Sequence, residues 1–437
     1  EFQYQSEETN PMTDNNERND SASSRAERIR AIRAAVNSQE EAENTAESSA
    51  PSARRAGNNR ADYRNSGMPH RNPPAGKRKK RKKKKTLGQK FREPFPEKGD
   101  NASEVVRKFV FLTSIAAIVV CGYMIGDYYI DLWQNNIHND QLSDIYGIYT
   151  PLRMSGDEEE NTEKYEEKYY TLLDGAQKLL DKNPDIVGFI RIPSKEGDPI
   201  IELPVVQAED NNKYLNLSVL GRESRAGTLF LDWRNHFDHV VDHRLVDKNS
   251  DNLVIYGHNM KDDSMFGSLR YYEQNDSYYE EHPIIQLNSN YEQYTYKIFA
   301  FFIVDVFDDT PTQYECWNKL DFADENDFYD FVNEAKKRTL RTNDVDVKYG
   351  DPILTLSTCN YLLNDRSRLI VMARRVRAGE DIYEGTLNSK RNTNIKYPSL
   401  YYNTKTNEQY DENAPFIPYG PEDAVKEAKE KFGEAEN

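Results

Sequence analysis

The stretch PILTLSTCNYLLNDRSRLIVMARR, Pro352 to Arg375, decides the fold of this chain. It holds two runs of strand-forming residues, PILTLSTC and RLIVMARR, with eight residues between them. Side chains alternate between the two faces of a strand, so Ser357 and Cys359 point to one face and the cysteine lies where the first strand ends. If the two runs pair as antiparallel neighbours, Cys359 and Arg368 lie side by side at one end of the sheet.

A third reactive side chain follows an upstream strand, in DNLVIYGHNM. The apolar run from Leu253 to Tyr256 ends at Gly257 and is followed by His258. A thiol, an imidazole and a guanidinium suit acyl transfer at a peptide bond, because sulfur can attack the carbonyl, histidine can move the proton and arginine can stabilise the oxyanion. Each residue type also has an ordinary role, as a small buried side chain, a turn residue or a surface cation. Spacing alone leaves both interpretations open.

The pattern of the second half of the chain predicts a mainly β protein. Short apolar runs such as VGFIRI, GTLFLDW, NLVIYG and YTYKIFAFFIVDVF are separated by Gly, Pro, Asn and Asp, which favours a closed or packed β structure. Helical spacing of apolar residues predicts one helix within Asp157–Ile186 and another at Asp324–Leu340. A last helix is expected at Pro421–Phe432.

An uncharged stretch predicts a membrane anchor. Phe109–Gly126 has 18 residues without a charge, near the roughly 20 that a bilayer core requires of a helix. Basic residues, above all the run Lys77–Lys85, flank it on one side only, which places the N-terminus in the cytoplasm and residues from Asp127 onward outside the cell. The one-sided charge disfavours a buried core helix, and the long segment before it disfavours a cleaved signal peptide. We therefore predict a single-pass transmembrane helix at residues 109–129 of a cell-membrane protein.

Charge divides the chain at the same place. Residues 1–108 carry a net charge of +8 and the remainder −24, within an overall −16. The first segment is poor in large apolar side chains, so it cannot offset the entropy of ordering, and we predict a disordered basic cytoplasmic arm. The run Lys77–Lys85 fits anionic lipid of the inner leaflet, at about 1 kcal/mol per basic residue. No aromatic residue interleaves it, so nucleic acid is not an expected partner, and a merely solvated charge run is the other interpretation.

The chain has three cysteines, Cys121, Cys316 and Cys359. They do not form a pattern typical of a disulfide framework, although the main domain is predicted to face an oxidising exterior. A thiol retained outside the cell therefore calls for a functional explanation.

Four motifs in one order together resemble a known family. TLSTC is followed nine residues on by the arginine of RLIVMAR, and YGHNM and GTLFLDWRN precede it. The combination resembles the sortases, membrane-anchored cysteine transpeptidases of Gram-positive bacteria, and the YGHNM and LFLDWRN forms are most similar to class B. The resemblance covers approximately Ile186 to Arg377.

The resemblance implies a fold and a catalytic set. The fold would be an eight-stranded β-barrel with N-terminal helices and a helix inserted before the cysteine strand. Cys359 would be the nucleophile, His258 the general acid and base, and Arg368 the oxyanion clamp. Arg366 lies close enough to compete, but Arg368 matches the motif better. Tyr361 stands where some class B enzymes have an acid, which leaves a fourth catalytic member open.

The resemblance also implies the reaction and its partners. A sorting signal of NPxTN or NPxTG type would be cleaved after its threonine, and the thioester would be resolved by an amine of a lipid II-type cell-wall precursor or by a pilin lysine. No cofactor is expected. Positions similar to class B pocket residues are Ser357, Tyr256, Asn211 and Leu215. A hydrolytic cysteine protease and a non-catalytic surface adaptor remain as alternatives from other classes.

A histidine cluster and the remaining boundaries complete the sequence interpretation. HFDHVVDH contains His236, His239 and His243, for which a polar loop is expected and a metal site is the alternative. We divide the chain into the arm 1–108, the span 109–129, a linker with N-terminal helices 130–185, the catalytic barrel 186–377 and a polar acidic tail 378–437.

Overall fold

Eight strands close into a barrel in the computed structural model of this chain. It describes residues 94–152, 168–308, 310, 313–363, 366–406 and 408–432, so the predicted arm up to residue 93, with its basic run Lys77–Lys85, lies outside the described residues. In chain order the described strands are β1 (Ile186–Ile192), β2 (Ile201–Val206), β3 (Leu229–Leu231), β4 (Val240–Val241), β5 (Arg244–Leu245), β6 (Asn252–Tyr256), β7 (Ile284–Ser289), β8 (Gln293–Asp305), β9 (Arg341–Thr342), β10 (Ile353–Cys359), β11 (Ser367–Arg375) and β12 (Lys390–Arg391).

The barrel strands follow one another in the order β1, β2, β3, β6, β10, β11, β8 and β7, and β7 pairs with β1 to close the ring. Neighbours are antiparallel except for β2 with β3 and β6 with β10, which are parallel. The mainly β class and the eight-stranded barrel implied by the resemblance are therefore confirmed. The short strands form two separate pairs, β4 with β5 and β9 with β12.

Alternation along the strands sorts the side chains into an interior and an outer face. Leu354 and Leu356 of β10 and Leu369 and Val371 of β11 belong to the main core of the barrel. The intervening positions point outward, and Ile370 belongs to a second core outside the barrel. Cys359 shares the outer face by the same period of two.

The described helices are α1 (Ala102–Tyr149), α2 (Asp174–Leu180), α3 (Tyr271–Gln274), α4 (Tyr278–Glu281), α5 (Glu325–Arg338), α6 (Ser399–Thr404) and α7 (Glu422–Phe432). The helices expected at Asp324–Leu340 and Pro421–Phe432 are thus confirmed as α5 and α7. Asp324 caps α5 by accepting a hydrogen bond from the Asp327 backbone N–H at 3.0 Å. Its apolar face covers the second core, where it packs against β8.

Helix α1 joins the predicted span to the barrel without a break. Its second half buries Leu132, Asn135, Asn139, Leu142 and Tyr146, whose spacing of three and four residues lies on one helix face. The first half is apolar and unburied, and the helix is long and apolar enough to cross a membrane.

The helix predicted within Asp157–Ile186 is much shorter than expected. In the described part, from Lys168 onward, only Asp174–Leu180 is helical. The preceding residues pair with distant backbone instead, since the N–H of Tyr170 donates to His243 O and that of Leu173 donates to Asn290 O, both at 2.9 Å. These long-range bonds replace the local helical ones that the apolar spacing suggested, so that prediction was wrong for residues 168–173, and its part before residue 168 lies outside the described residues.

The segment after the last barrel strand is bound to the barrel by buried charges. Glu380 accepts a hydrogen bond from Lys297 Nζ at 2.6 Å and is paired with Arg374, and both cationic side chains are fully buried. Burial alone would raise the pKa of Glu380, but the hydrogen bonds from Arg374 and Lys297 outweigh it and lower the pKa to about 2. Further along, Tyr419 packs edge-on against Phe299, with ring centroids 6.0 Å apart.

Replacing Glu380 should destabilise the fold in a pH-dependent way. Glu380→Gln leaves Lys297 and Arg374 without their shared carboxylate, and removal of one partner of a buried ion pair costs about 3 kcal/mol or more, equivalent to a decrease in Tm of roughly 6 to 12 °C. Because the folded-state pKa lies below the unfolded value of about 4.3, this stabilisation is present above that pH and is lost as the pH falls toward 2.

The measurement is thermal unfolding of the full chain in detergent micelles, followed by circular dichroism at several pH values. Glu384→Gln, which alters an exposed side chain in the same segment, serves as the control. Equal Tm values for the two variants at neutral pH would contradict the structural role of Glu380.

Candidate active site

Strand β10 places Cys359 opposite Arg368. In the antiparallel pairing of β10 with β11, Cys359 is the cross-strand partner of Arg368, as the sequence predicted. Directly opposed residues have Cβ atoms about 5 Å apart and project to the same face. Both side chains are half-buried, so the thiol and the guanidinium share one surface-accessible site.

Strand β6 brings His258 to the same end of the sheet. β6 runs parallel to β10 with Tyr256 opposite Ser357, so the residues after the two strands emerge together. Three hydrogen bonds join these ends: Gly257 N to Ser357 O at 3.2 Å, Thr358 Oγ1 to Gly257 O at 2.8 Å, and Asn259 Nδ2 to Cys359 O at 2.7 Å. The residues that flank His258 are thus bonded to the residues around the thiol.

Glycine is required at position 257 by close packing. A Cβ atom there would lie 2.3 Å from the Leu229 side chain and 2.7 Å from the ring of Phe266. Because such contacts are sterically impossible without a shift, only glycine lets the chain pass between these residues and present His258 beside β10.

A hydrogen bond orients the ring of His258. Its Nε2 atom lies 2.8 Å from the carbonyl oxygen of Leu215, at the end of a 3₁₀ turn formed by Lys213–Leu215. A carbonyl can only accept, so the neutral ring carries its hydrogen on Nε2 and Nδ1 is the nitrogen able to accept a proton. Leu215, predicted as a substrate contact, therefore contacts the histidine through its backbone.

The two candidate arginines have different partners. Arg366 forms a two-pronged ion pair with the buried carboxylate of Asp305, with Nη2 and Oδ2 3.0 Å apart, and it also donates to Phe307 O. Arg368 donates to Ser367 O at 3.0 Å and stands opposite Cys359. Because Arg366 is engaged with Asp305 on β8, the geometry favours Arg368 as the group beside the thiol.

Burial distinguishes the three thiols. Cys316 is fully buried, and burial raises the pKa of its thiol to about 12, so it is inert at neutral pH. Cys121 lies in the apolar part of α1. Cys359 is the thiol that is both accessible and adjacent to a histidine-bearing strand end.

Asp232 links two of the predicted substrate-binding residues, and the sequence interpretation missed it. Its carboxylate is fully buried and accepts hydrogen bonds from Asn211 Nδ2 and Tyr256 OH, both at 3.0 Å, and from Arg234 Nε at 2.8 Å. Burial would raise the pKa of Asp232, but these bonds outweigh it and hold the pKa below its ordinary value. The signal was present, because Asp232 is the acid of the LFLDWRN motif.

The four residues predicted to bind substrate lie at three different places relative to Cys359 and His258. Ser357 and Tyr256 lie side by side on β10 and β6, next to Cys359 and His258. Leu215 contacts His258. Asn211 contacts neither Cys359 nor His258 through these atoms. Its Nδ2 donates to the Asp232 carboxylate, and its Oδ1 accepts from Trp233 N.

The histidine cluster divides into two parts. His236 and His239 both face Asp247, with Nδ1 to Oδ2 distances of 3.6 and 2.8 Å, whereas His243 stacks on Tyr169 with ring centroids 4.1 Å apart. The expected loop contains the β4–β5 hairpin, whose turn requires positive φ values of 49° and 64° at Asp242 and His243. Within the described residues, no three His, Cys, Asp or Glu side chains are close enough to hold a metal ion.

Comparison with known proteins identifies a family and several relatives. The sortase domain family matches residues 191–376. Sortase B of Listeria monocytogenes is 31% identical over 270 residues, covering 62% of this chain and 96% of that protein. Sortase B of Staphylococcus aureus is 27% identical over 262 residues, covering 60% and 93% respectively. A solved Staphylococcus aureus sortase B–substrate complex shares 25% identity and a TM-score of 0.44, covering 57% of this chain and 100% of that chain.

These relatives specify a family of cysteine transpeptidases with a β-barrel fold. This chain belongs to the sortase family, within class B.

Replacing Asp232 should destabilise the site region. In Asp232→Asn the amide presents a donor to Arg234 and Tyr256, which themselves donate, so a buried charge-assisted network loses its acceptor at a cost of about 3 kcal/mol. We expect a decrease in Tm of several degrees relative to wild type in a thermal melt at neutral pH. Asp247→Asn removes a half-exposed carboxylate from an exposed ion pair. It should change the free energy of unfolding by about 1 kcal/mol or less, and its Tm should therefore change less than that of Asp232→Asn. A larger effect at Asp247 than at Asp232 would contradict this account.

Proposed function

We propose that the chain cleaves a sorting signal of NPxTN or NPxTG type after its threonine and transfers the protein to an amine of the cell-wall precursor. The observation that carries the proposal is the junction of β6, β10 and β11, where the ends carrying His258, Cys359 and Arg368 are held together by register and by backbone hydrogen bonds. Membership of the sortase family supports it.

In the proposed first step, Cys359 sulfur attacks the threonine carbonyl carbon. The thiol proton passes to His258 and then to the nitrogen of the departing peptide, so that the C–N bond breaks as the C–S bond forms. The tautomer fixed by the Leu215 carbonyl leaves Nδ1 to accept that proton. In the second step an amine nitrogen attacks the thioester carbon, the C–S bond breaks as the new C–N bond forms, and the proton that the amine loses passes through His258 to the sulfur.

Arg368 would stabilise the negative charge that develops on the carbonyl oxygen. A guanidinium cannot deprotonate in the relevant pH range, and its several N–H donors suit an oxyanion. The register supports this role because Arg368 is the residue directly across from the nucleophile.

Substrate contacts follow from the same outer face. Ser357 and Tyr256 lie beside the reactive pair, so we assign them to the bound sorting signal, together with the segment that carries Asn211 and Leu215. The carboxylate of Asp232 would hold Tyr256 and Asn211 in place for that purpose.

We further propose that residues 109–129 cross the cell membrane, with the arm 1–108 in the cytoplasm and the barrel outside. The unburied apolar half of α1 supports the span. The basic flank at Lys77–Lys85, outside the described residues, supports the orientation and the predicted contact with anionic lipid. The acceptor would then meet the site on the outer side of the membrane.

Mass spectrometry of the full chain in detergent micelles should reveal the acyl-enzyme. Incubation with NPxTN, NPxTG and LPxTG peptides is expected to add the acyl fragment to Cys359, and an amine should convert it to an amide product. Cys359→Ala should show no adduct, whereas Cys316→Ala, which alters a buried thiol, should retain it.

The products separate the alternatives. Release of the free acid in the presence of abundant amine would indicate a hydrolytic protease instead, and a preference for a pilin lysine peptide would indicate pilus polymerisation. No adduct with any peptide would contradict the proposed acylation and favour the surface adaptor.

Two neighbouring arginines provide a matched test of the oxyanion clamp. Arg368→Gln should lower kcat by about 10²- to 10³-fold, as expected when an oxyanion donor is lost. Arg366→Gln, which breaks the ion pair with Asp305 and the hydrogen bond to Phe307 O, should retain most of the activity. The measurement is steady-state aminolysis of the preferred peptide, and the reverse order of effects would assign the clamp to Arg366.

A further inference from the structure

A cavity of about 410 Å³ opens beside the strand ends that carry the reactive side chains. Its lining comes from the loop after β6, from α3 with the residue before it, and from the connection between β10 and β11. Asn259 follows His258 directly and Asn360 follows Cys359 directly, and both asparagines line the cavity. None of the four residues assigned above to the sorting signal lines it, so it is a separate space next to the proposed reactive pair.

Hydrogen bonds tie the walls of this cavity to the backbone around the thiol. Asn259 Nδ2 donates to Cys359 O, and Asn360 Nδ2 donates to Glu273 Oε2 on α3, both at 2.7 Å. Consecutive Cα atoms are about 3.8 Å apart, and the Asn360 side chain spans three bonds of about 1.5 Å each. The carboxylate of Glu273 therefore lies within about 11 Å of the Cys359 Cα atom.

The carboxylate of Glu273 has no cationic partner. Among the described residues, Glu273 is the one carboxylate that lines the cavity, and no described cation forms an ion pair with it. The cations in the same lining are placed differently. Arg270 pairs with Asp263 and donates to Met260 O at 2.9 Å, whereas Lys261 is exposed to solvent. The cavity thus contains one half-buried negative charge that nothing in the described chain neutralises.

Burial makes this carboxylate a better proton acceptor and a better ligand for a cation. Desolvation raises the pKa of Glu273, and the hydrogen bond from Asn360 opposes that rise only in part. A base is more effective as its pKa approaches the pH at which it works. An incoming cation would also restore the favourable interactions that the carboxylate lost when it left bulk water.

Aminolysis of the thioester needs a base in addition to His258. At neutral pH a primary amine is mostly an ammonium, because its pKa is about 8 at a chain N-terminus and about 10 on lysine. Formation of an amide removes two protons from that ammonium. One of them passes through His258 to the sulfur of Cys359 in the mechanism above, so the other must pass to a second base.

We propose that Glu273 binds the ammonium group of the incoming acceptor in this cavity and removes its extra proton, which releases a neutral amine beside the thioester. An N–H bond breaks, an O–H bond forms on the carboxylate, and the resulting acid gives its proton to solvent through the open side of the cavity. The proposal rests on the transpeptidation proposed above. The ligand class of the cavity is a primary ammonium.

The variant Glu273→Gln removes the charge and keeps the contact with Asn360. The amide oxygen of the new side chain can still accept the hydrogen bond from Asn360 Nδ2, so the connection to β10 is retained. Glu280→Gln, which removes the charge of an exposed glutamate on the neighbouring α4, is the matched control. All proteins are studied as the full chain in detergent micelles.

The first measurement separates acylation from aminolysis. The acyl-enzyme is formed from the preferred peptide without amine, and mass spectrometry then follows its decay with triglycine or with hydroxylamine, which is mostly uncharged at neutral pH. Glu273→Gln should form the acyl-enzyme at the wild-type rate but react with triglycine about 10²-fold more slowly, as expected when a general base is lost. Its reaction with hydroxylamine should match wild type, because that nucleophile has no extra proton to lose.

Two outcomes of this measurement would overturn the proposal. Equal rates of Glu273→Gln and wild type with triglycine would show that the carboxylate is not needed for aminolysis. An equal loss with triglycine and hydroxylamine would assign Glu273 to holding the connection between β10 and β11 instead. The Glu280→Gln control should match wild type with both nucleophiles.

The second measurement does not need an acyl-enzyme. In saturation-transfer difference NMR, triglycine should receive magnetisation from the Cys359→Ala chain, and adding Glu273→Gln should remove most of that transfer. N-acetyltriglycine, which lacks the ammonium, should receive little from either protein. Equal transfer to triglycine with and without the Glu273 carboxylate would overturn the ammonium site even if acyl transfer is observed. Transfer that depends on Glu273 would support the site even if the peptides tested above gave no adduct.

Discussion

The register of β10 between β6 and β11 is the constraint on which the site depends. A slip of one residue would turn Cys359 toward the barrel interior, because the side-chain period of a strand is two. A buried polar contact opposes such a slip, because Thr355 Oγ1 donates to Asn252 Oδ1 at 2.8 Å between β10 and β6. A shifted strand would leave these groups without partners in a dry environment, which is costly. The same register that packs Leu354 and Leu356 inside therefore keeps the thiol outside, opposite Arg368.

Much of this arrangement could be predicted because it is local or periodic. The alternation in PILTLSTC and RLIVMARR, with a short connection, sufficed to place Cys359 opposite Arg368. The spacing of apolar residues predicted α5 in the same way. The barrel itself required the resemblance, since short β runs alone are compatible with several closed or packed sheets.

Other features depend on contacts between residues far apart in sequence, and these were not predictable. Nothing local shows that Asp232 is shared by Asn211 and Tyr256, although its motif was recognised. The extended chain before Asp174 likewise follows from bonds to His243 and Asn290, which override the helical spacing. The docking of α1 on loops nearly a hundred residues away belongs to the same category.

The carboxylate of Glu380 has a consequence for where the folded unit ends. The family match stops at residue 376, yet Glu380, the carboxylate shared by the buried Lys297 and Arg374, lies four residues later. A recombinant fragment cut at the family boundary would keep the pairing of Arg374 with Asp346 but lose the carboxylate that pairs with Lys297. We therefore expect a stable fragment of the enzyme to extend past the family match, at least as far as Glu380.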